Sequence, residues 1–262
     1  MTKRIILGSI LLLTVVASPA IANSTNSMMS TPPPLAGFAA KAGGTILDVP
    51  IPANILAIPL TGADGKIFTL GSLKGKAVVM TDFLTTCNDI CPMTSVNMRE
   101  IGDAFKMAHL SSTYMGLEVS VDPKRDTAPR MKAYQALYAD SSWTVASPSQ
   151  AGLNNFWGWF GVSTMQQPSD KGVVDWQTGK PVTYDVAHAD VALIIGPNSH
   201  YRWLDLGSPQ ITLRKVSSVP NKLYTFLSAG GKANLVKPEE PSWTTGAVYG
   251  ALHEIFKVKV GA

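Results

Sequence analysis

Apolar and polar positions fall into blocks along the chain, and the period changes from block to block. Ala77 to Phe83 (AVVMTDF) is mostly apolar, follows the turn-forming stretch Gly71 to Lys76, and reads as a buried strand. Beyond Pro92, the apolar residues Met98, Ile101, Phe105 and Ala108 recur at the helical period. Met115, Leu117, Val119 and Val121 alternate as in a strand, which Asp122-Pro123 stops. Ala128 to Tyr138 reads as a second helix with Met131, Tyr134 and Leu137 on one face, and Thr144 to Ala146 as a short strand. Leu153, Phe156, Trp157 and Phe160 mark a third helix, whose aromatic residues are expected to pack in the core.

Three pairs of runs read as hairpins. Ile55 to Leu60 and Lys66 to Leu70 flank Ala63-Asp64-Gly65 near the N-terminus. Val173 to Trp176 and Pro181 to Tyr184 flank Gln177 to Lys180, an inserted hairpin. Val191 to Ile195 and Tyr201 to Leu204 are joined by Gly196-Pro197-Asn198-Ser199. Ser217 to Ser228 fits a final helix, with Pro220 in its first turn and Val219, Leu223 and Phe226 inward. Strands alternating with helices, then a hairpin and a helix, predict an α/β domain with a mixed sheet over residues 47–231.

The flanks differ in composition. Lys3 and Arg4 precede the apolar run Ile5 to Ala17, and Ala20-Ile21-Ala22 fits a cleavage site, so residues 1–22 are expected to be a signal peptide. The competing reading is an uncleaved anchor, but the run is shorter than the roughly 20 apolar residues of a spanning helix. No cysteine stands there to carry a lipid. Residues 23–46, with Thr31-Pro32-Pro33-Pro34, read as a flexible spacer, and Met28 and Met29 as part of it rather than as thioether ligands for Cu(I). Residues 232–262 form an extension, opening with Lys237-Pro238-Glu239-Glu240-Pro241. Within it, Val248 to Val258 predicts a short amphipathic helix docked on the domain or on a partner.

Charged residues make up 15% of the chain and hydrophobic ones 45%, the composition of a folded domain. Without a run of five like charges at a net charge of +4, nothing points to a nucleic-acid surface.

The candidate chemistry sits in Thr85-Thr86-Cys87-Asn88-Asp89-Ile90-Cys91-Pro92-Met93-Thr94, which holds both cysteines of the chain. One backbone turn brings both sulfurs to one spot, and Pro92 suits the first turn of a helix. A helix N-terminus stabilises thiolate, the form that binds metal and attacks disulfides. Export would put this pair in an oxidising compartment, where it forms a disulfide unless a reductant or metal intervenes. As a structural staple, the bridge would close a loop of about five residues worth roughly 2 kcal/mol, against nearly 5 for a hundred-residue loop. The spacing therefore favours metal binding or redox cycling.

Two thiolates alone suit Cu(I) and Zn(II) equally, while a structural zinc site wants four protein ligands. One imidazole more would make a three-ligand site suited to Cu(I), or to Cu(II) with an added oxygen. Of the four histidines, His109, His200 and His253 read as surface or capping residues. His188 stands just before the strand Val191 to Ile195, where loops of an open α/β sheet converge on a site. Spacing alone leaves its role open.

Three stretches resemble one known family. Cys87 to Thr94 is similar to the CxxxCP signature of the Sco/SenC family, copper-handling proteins with a thioredoxin-like fold. Val119 to Thr127 (SVDPKRDT in its last eight residues), followed by Met131 to Tyr134, resembles a second block, and Tyr184 to His188 with Val191 to Gly196 a third. The resemblance implies that Cys87, Cys91 and His188 are copper ligands, with Cys87 and Cys91 also a redox disulfide pair. It implies a periplasmic assembly factor for the binuclear copper centre of cytochrome c oxidase, acting as copper donor, thiol reductant or both. The implied partners are the copper-centre subunit and a thiol reductant or copper donor protein. Asp89 matches an acidic residue common between the family's cysteines, and otherwise reads as a helix N-cap. Ala187 departs from the family, where many members have Asp before the histidine, and the extension after Lys232 has no usual counterpart.

Two functions follow from different classes. One is a copper metallochaperone; the other is an enzyme, a thiol–disulfide oxidoreductase acting on partner cysteines without copper. Three residues between the cysteines, where redox motifs have two, and no proline between Pro181 and Pro197 both favour metal. Asp122, Arg125 and Asp126 are expected to form a buried network fixing a strand–helix turn.

Overall fold

The structure, a computed structural model, describes residues 32–33, 36–139 and 142–261. The expected signal peptide and Met28-Met29 lie outside them.

The chain enters through β1 (Phe38–Ala39) and β2 (Thr45–Pro50), which pair antiparallel, so the end of the expected spacer is already part of the sheet. Next comes a single helical turn, α1 (Ala53–Leu56), then β3 (Leu60–Gly62) and β4 (Ile67–Phe68). The predicted N-terminal hairpin exists with Leu60 opposite Phe68, but its first arm begins only at Leu60. Pro52 caps the helical turn that follows it, its carbonyl accepting from the N–H groups of Ile55 and Leu56, and Ile55 is fully buried.

β5 (Ala77–Phe83) is buried over all seven residues. It leads through the cysteine loop into α2 (Cys91–Met107), β6 (Tyr114–Ser120), α3 (Ala128–Ala136), β7 (Thr144–Pro148) and α4 (Leu153–Trp159). β5, β6 and β7 run parallel, as helical crossovers require. The insertion is larger than predicted. β8 (Thr164–Pro168) and β9 (Tyr184–His188) form its antiparallel arms, and the predicted strands around Gln177 to Lys180 reduce to one bridge, Val174 with Pro181. β8 was invisible to periodicity because four of its five residues are exposed and none is buried.

β10 (Val191–Ile195) and β11 (His200–Leu206) form the predicted hairpin, and β12 (Ser208–Pro209) follows. The predicted helix Ser217 to Ser228 is realised only in its centre. A 3-10 turn at Leu213–Ser218 precedes α5 (Asn221–Phe226), Leu227 is extended, and Ser228 caps a new helix, α6 (Ala229–Asn234). Ser228 Oγ accepts the Gly231 N–H, a cap strong enough to start a helix on Ala-Gly-Gly. β13 (Ser242–Trp243) pairs with β12, and α7 (Thr245–Phe256) realises the predicted tail helix.

The nine-stranded sheet has the order β1-β2-β11-β10-β5-β6-β7-β3-β4, with β10 antiparallel to β5. Helix α2 buries Met93, Met98, Ile101 and Phe105, and the tail adds Trp243, Val248 and Leu252 to the same core. Burying each such aliphatic side chain is worth roughly 1.5–3 kcal/mol, so the tail is integral to the fold rather than an appendage.

One core residue carries charge chemistry. Glu118 on β6 is fully buried, and its two oxygens accept hydrogen bonds from Ser95 Oγ (2.7 Å) and Trp143 Nε1 (2.8 Å). Burial outweighs these bonds and pushes its carboxyl up to about 7. A folded pKa above the unfolded one means the contribution is full below about pH 4.5 and is lost as pH rises through 7. Glu118→Gln should therefore gain stability over the parent at pH 8, by at most about 3 kcal/mol, and none at pH 4.5. Urea unfolding at the two pH values checks this; an equal difference at both would contradict it.

Candidate metal and thiol site

The loop from Leu84 to Ile90 leaves β5 at its C-terminal end and delivers Cys87 and Cys91 to the start of α2. Its backbone is held from three directions. The turn after β6 supplies Asp126, whose carboxylate accepts Thr85 N–H and Thr85 Oγ–H, with Ser120 Oγ donating to it at 2.6 Å. The insertion supplies Trp176, whose Nε1–H donates to the Thr85 carbonyl at 2.6 Å, and Asp175, paired to Arg130. The C-terminal segment supplies Ser228 N–H to the Asn88 carbonyl (2.8 Å) and Asn234 Nδ2 to Asp89 Oδ1 (2.7 Å). Gly231 is required there: a Cβ would stand 2.7 Å from the Asn88 carbonyl oxygen. Asp89 is therefore not the cap of α2. Ile90 takes that position without a side-chain bond. The network expected of Asp122, Arg125 and Asp126 is present, with Arg125 paired to Asp122 and Tyr184 donating to the same carboxylate.

Both cysteines are free thiols. Cys87 is half-buried, and the N–H of Cys91 points at its sulfur at 3.4 Å. The Cys91 thiol, then backbone N–H groups and the charge of His188, lower its pKa against the opposing effect of burial. Cys91 is buried, and desolvation followed by the neighbouring Cys87 sulfur raises its pKa well above the usual thiol value. One sulfur is reactive and reachable; the other is its covered partner.

His188 ends β9, three residues before β10 begins. Because β10 runs antiparallel to β5 with Ala192 opposite Thr81, its start lies beside the end of β5. His188 therefore reaches the same end of the central strands as the cysteine loop. Its Nδ1 lies 2.7 Å from Asp82 Oδ2 and 3.6 Å from Asp190 Oδ1. Burial lowers the imidazole pKa, but the charges of Asp82 and Asp190 prevail and raise it to about 10. The remaining histidines are elsewhere. His200 contacts Asp48 at the opposite end of the β10–β11 hairpin, His253 contacts the Val258 carbonyl, and His109 follows the end of α2.

Ligand atoms of Asp82, His188 and Asp190 all lie within 4.8 Å of one another, and this is the metal-capable grouping of that size among the described residues. Cys87 and Cys91 stand outside it. Closing both thiols and the imidazole onto one ion therefore needs further movement of the loop or the ring. Sequence reading missed Asp82, Asp190, Trp176 and Asn234. An aspartate inside the apolar run Ala77 to Phe83 was the available signal for Asp82.

The strands β6-β5-β10-β11, parallel then antiparallel, with a dithiol at the head of the helix after β5, define a thioredoxin-like dithiol protein. The family model described as SCO1/SenC matches residues 58–212, more than half of the chain, so this chain belongs to the SCO1/SenC family. The SCO1 protein homolog of Bacillus subtilis is 29% identical over 102 residues, 38% of this chain and 51% of that protein. A SCO2-like protein of Rickettsia conorii is 32% identical over 75 residues, 29% of this chain and 36% of that one. The matched stretch thus spans about half the length of the first relative and about a third of the second. Among solved structures, Bradyrhizobium japonicum ScoI with copper bound is 24% identical, with a TM-score of 0.46 over 65% of this chain and 97% of that one. Arabidopsis thaliana ScoI with copper bound is 19% identical, with a TM-score of 0.47 over 64% and 96%.

The asymmetry of the thiols makes a chemical prediction. With limiting iodoacetamide at pH 7, reduced protein should be alkylated at Cys87 at least about tenfold faster than at Cys91. Peptide mass spectrometry reads the ratio, and equal rates would contradict the site described.

Proposed function

We propose that this chain is an exported copper metallochaperone that binds one copper ion through Cys87, Cys91 and His188. Its target is the copper-centre subunit of cytochrome c oxidase, and its working compartment is the periplasm. The observation carrying this reading is the arrival of a dithiol loop and a buried histidine at one end of the central strands. Two thiolates and an imidazole match a soft cation such as Cu(I), and a further oxygen donor would accommodate Cu(II). Family membership supports the same reading. Copper here is cargo, so the site must bind it and also release it.

The inequality of the two sulfurs favours a second role, reduction of the target's own cysteines. Cys87 thiolate would attack the target disulfide, and Cys91 would resolve the mixed disulfide. One disulfide is reduced as one Cys87–Cys91 bridge forms, and an external thiol must regenerate the pair. The roles are compatible, since a target takes up copper only with reduced thiols.

Reduced protein should bind one equivalent of copper, and Cys87→Ser should lose it. His188→Ala should weaken Cu(II) by about 100-fold or more and Cu(I) far less, read by competition titration with chelators. Unchanged binding of both states in His188→Ala would refute the ligand set. For the reductant role, copper-free reduced protein should reduce a target-peptide disulfide stoichiometrically, and Cys87→Ser should not. Parent activity no greater than that of Cys87→Ser would remove this role.

A further inference from the structure

The ring of His188 is surrounded on one side by oxygen atoms. Nδ1 faces Asp82 Oδ2 at 2.7 Å, the Ala189 carbonyl at 3.4 Å and Asp190 Oδ1 at 3.6 Å. A peptide carbonyl can only accept, and an ionised carboxylate can only accept. Nδ1 therefore carries a proton, and when a metal binds, Nε2 is the ring nitrogen left to give up its own proton and offer a lone pair. The side chains of His188 and Asp82 are 6% and 2% exposed, so water does not compete at this contact.

Asp82 is itself fixed. It lies within fully buried β5, and its Oδ1 accepts the Val191 N–H at 2.8 Å, tying it to the first residue of β10. Its Oδ2 is otherwise unpartnered and lies against the imidazole, 2.7 Å from Nδ1. The carboxylate thus spans the junction between β5, which launches the cysteine loop, and β10, which follows the histidine. Ala187, the residue before His188, has no polar side chain that could do this.

We propose that Asp82 is the positioning residue of the site: by accepting from Nδ1 it fixes the tautomer and direction of the His188 ring, so that Nε2 is the nitrogen presented to copper. The inference rests on the ligand set proposed above and adds to it which atom binds and what holds that atom in place. A ligating histidine whose other nitrogen bonds a carboxylate is a more basic and better-oriented ligand, and loss of such a partner typically costs 10–100-fold in metal affinity. The acceptor comes from the central strand and not from the residue next to the histidine.

Asp82→Asn separates this role from simple packing. The amide keeps an oxygen for the Val191 N–H and puts an NH₂ group where Oδ2 stood, so a donor would face Nδ1. Nitrogen-15 NMR of the His188 ring should show the proton on Nδ1, and none on Nε2, in the Cu(I)-loaded parent. In Asp82→Asn it should move to Nε2, and Cu(II) affinity should fall about 10–100-fold with a changed thiolate-to-copper absorption band. Asp190→Asn, more distant from the ring, should leave the proton on Nδ1. A parent ring with its proton on Nε2 in the Cu(I) form overturns the inference even if Asp82→Asn fails to fold. So does an Asp82→Asn protein with parental Cu(II) affinity and spectrum. A parent that takes no copper at all overturns the proposed function and this inference together.

Discussion

The antiparallel pairing of β10 with β5 is the constraint on which the site depends. A strand running back along β5 must begin where β5 ends, and the end of β5 is where the cysteine loop departs. Residues about a hundred positions apart in the chain therefore meet without any long loop having to find its way. Asp82, the penultimate residue of β5, and Val191, the first of β10, seal that junction with a buried hydrogen bond. Seven buried residues on β5 and five on β10 make the register expensive to shift, because a one-residue slip would reverse the facing of every side chain.

Rigidity around the loop is unevenly distributed, and the distribution is informative. Thr85 is fixed by Asp126 and Trp176, and Asn88 and Asp89 by the segment around α6, while the half-buried Cys87 sulfur meets the Cys91 thiol and backbone N–H groups, that of Cys91 at 3.4 Å. The frame is held and the reactive sulfur is left free to change partner. A cargo site needs this combination, since a metal or a disulfide must arrive at and leave the same sulfur. The C-terminal extension is part of this frame. Through Trp243, Val248 and Leu252 it adds to the hydrophobic core, and through Asn234 it touches the loop between the cysteines.

Much of the architecture was legible because periodicity tracks burial. β5, α2, β6, α3 and β10 bury regular stripes or continuous runs, and their positions were readable from apolar spacing alone. β8 was not legible, since a pair of arms standing away from the core needs no apolar alternation. α6 was missed because Ser228 and two glycines act through a cap and dihedrals rather than hydrophobicity. Cys87 and Cys91 announced themselves by spacing. His188 was only a candidate, because a ligand's value depends on what lies beside it in space. Asp82 was hidden for the same reason: in sequence it is one acid in an apolar strand, and only the fold sets it against an imidazole.

The central claim is that two sulfurs and one imidazole act on a single ion. X-ray absorption at the copper edge of reduced, Cu(I)-loaded protein measures this most directly. The account predicts two sulfur scatterers and one nitrogen with the outer-shell signature of an imidazole, the latter lost in His188→Ala. A copper shell holding sulfur alone, or a nitrogen signal that survives the substitution, would contradict it.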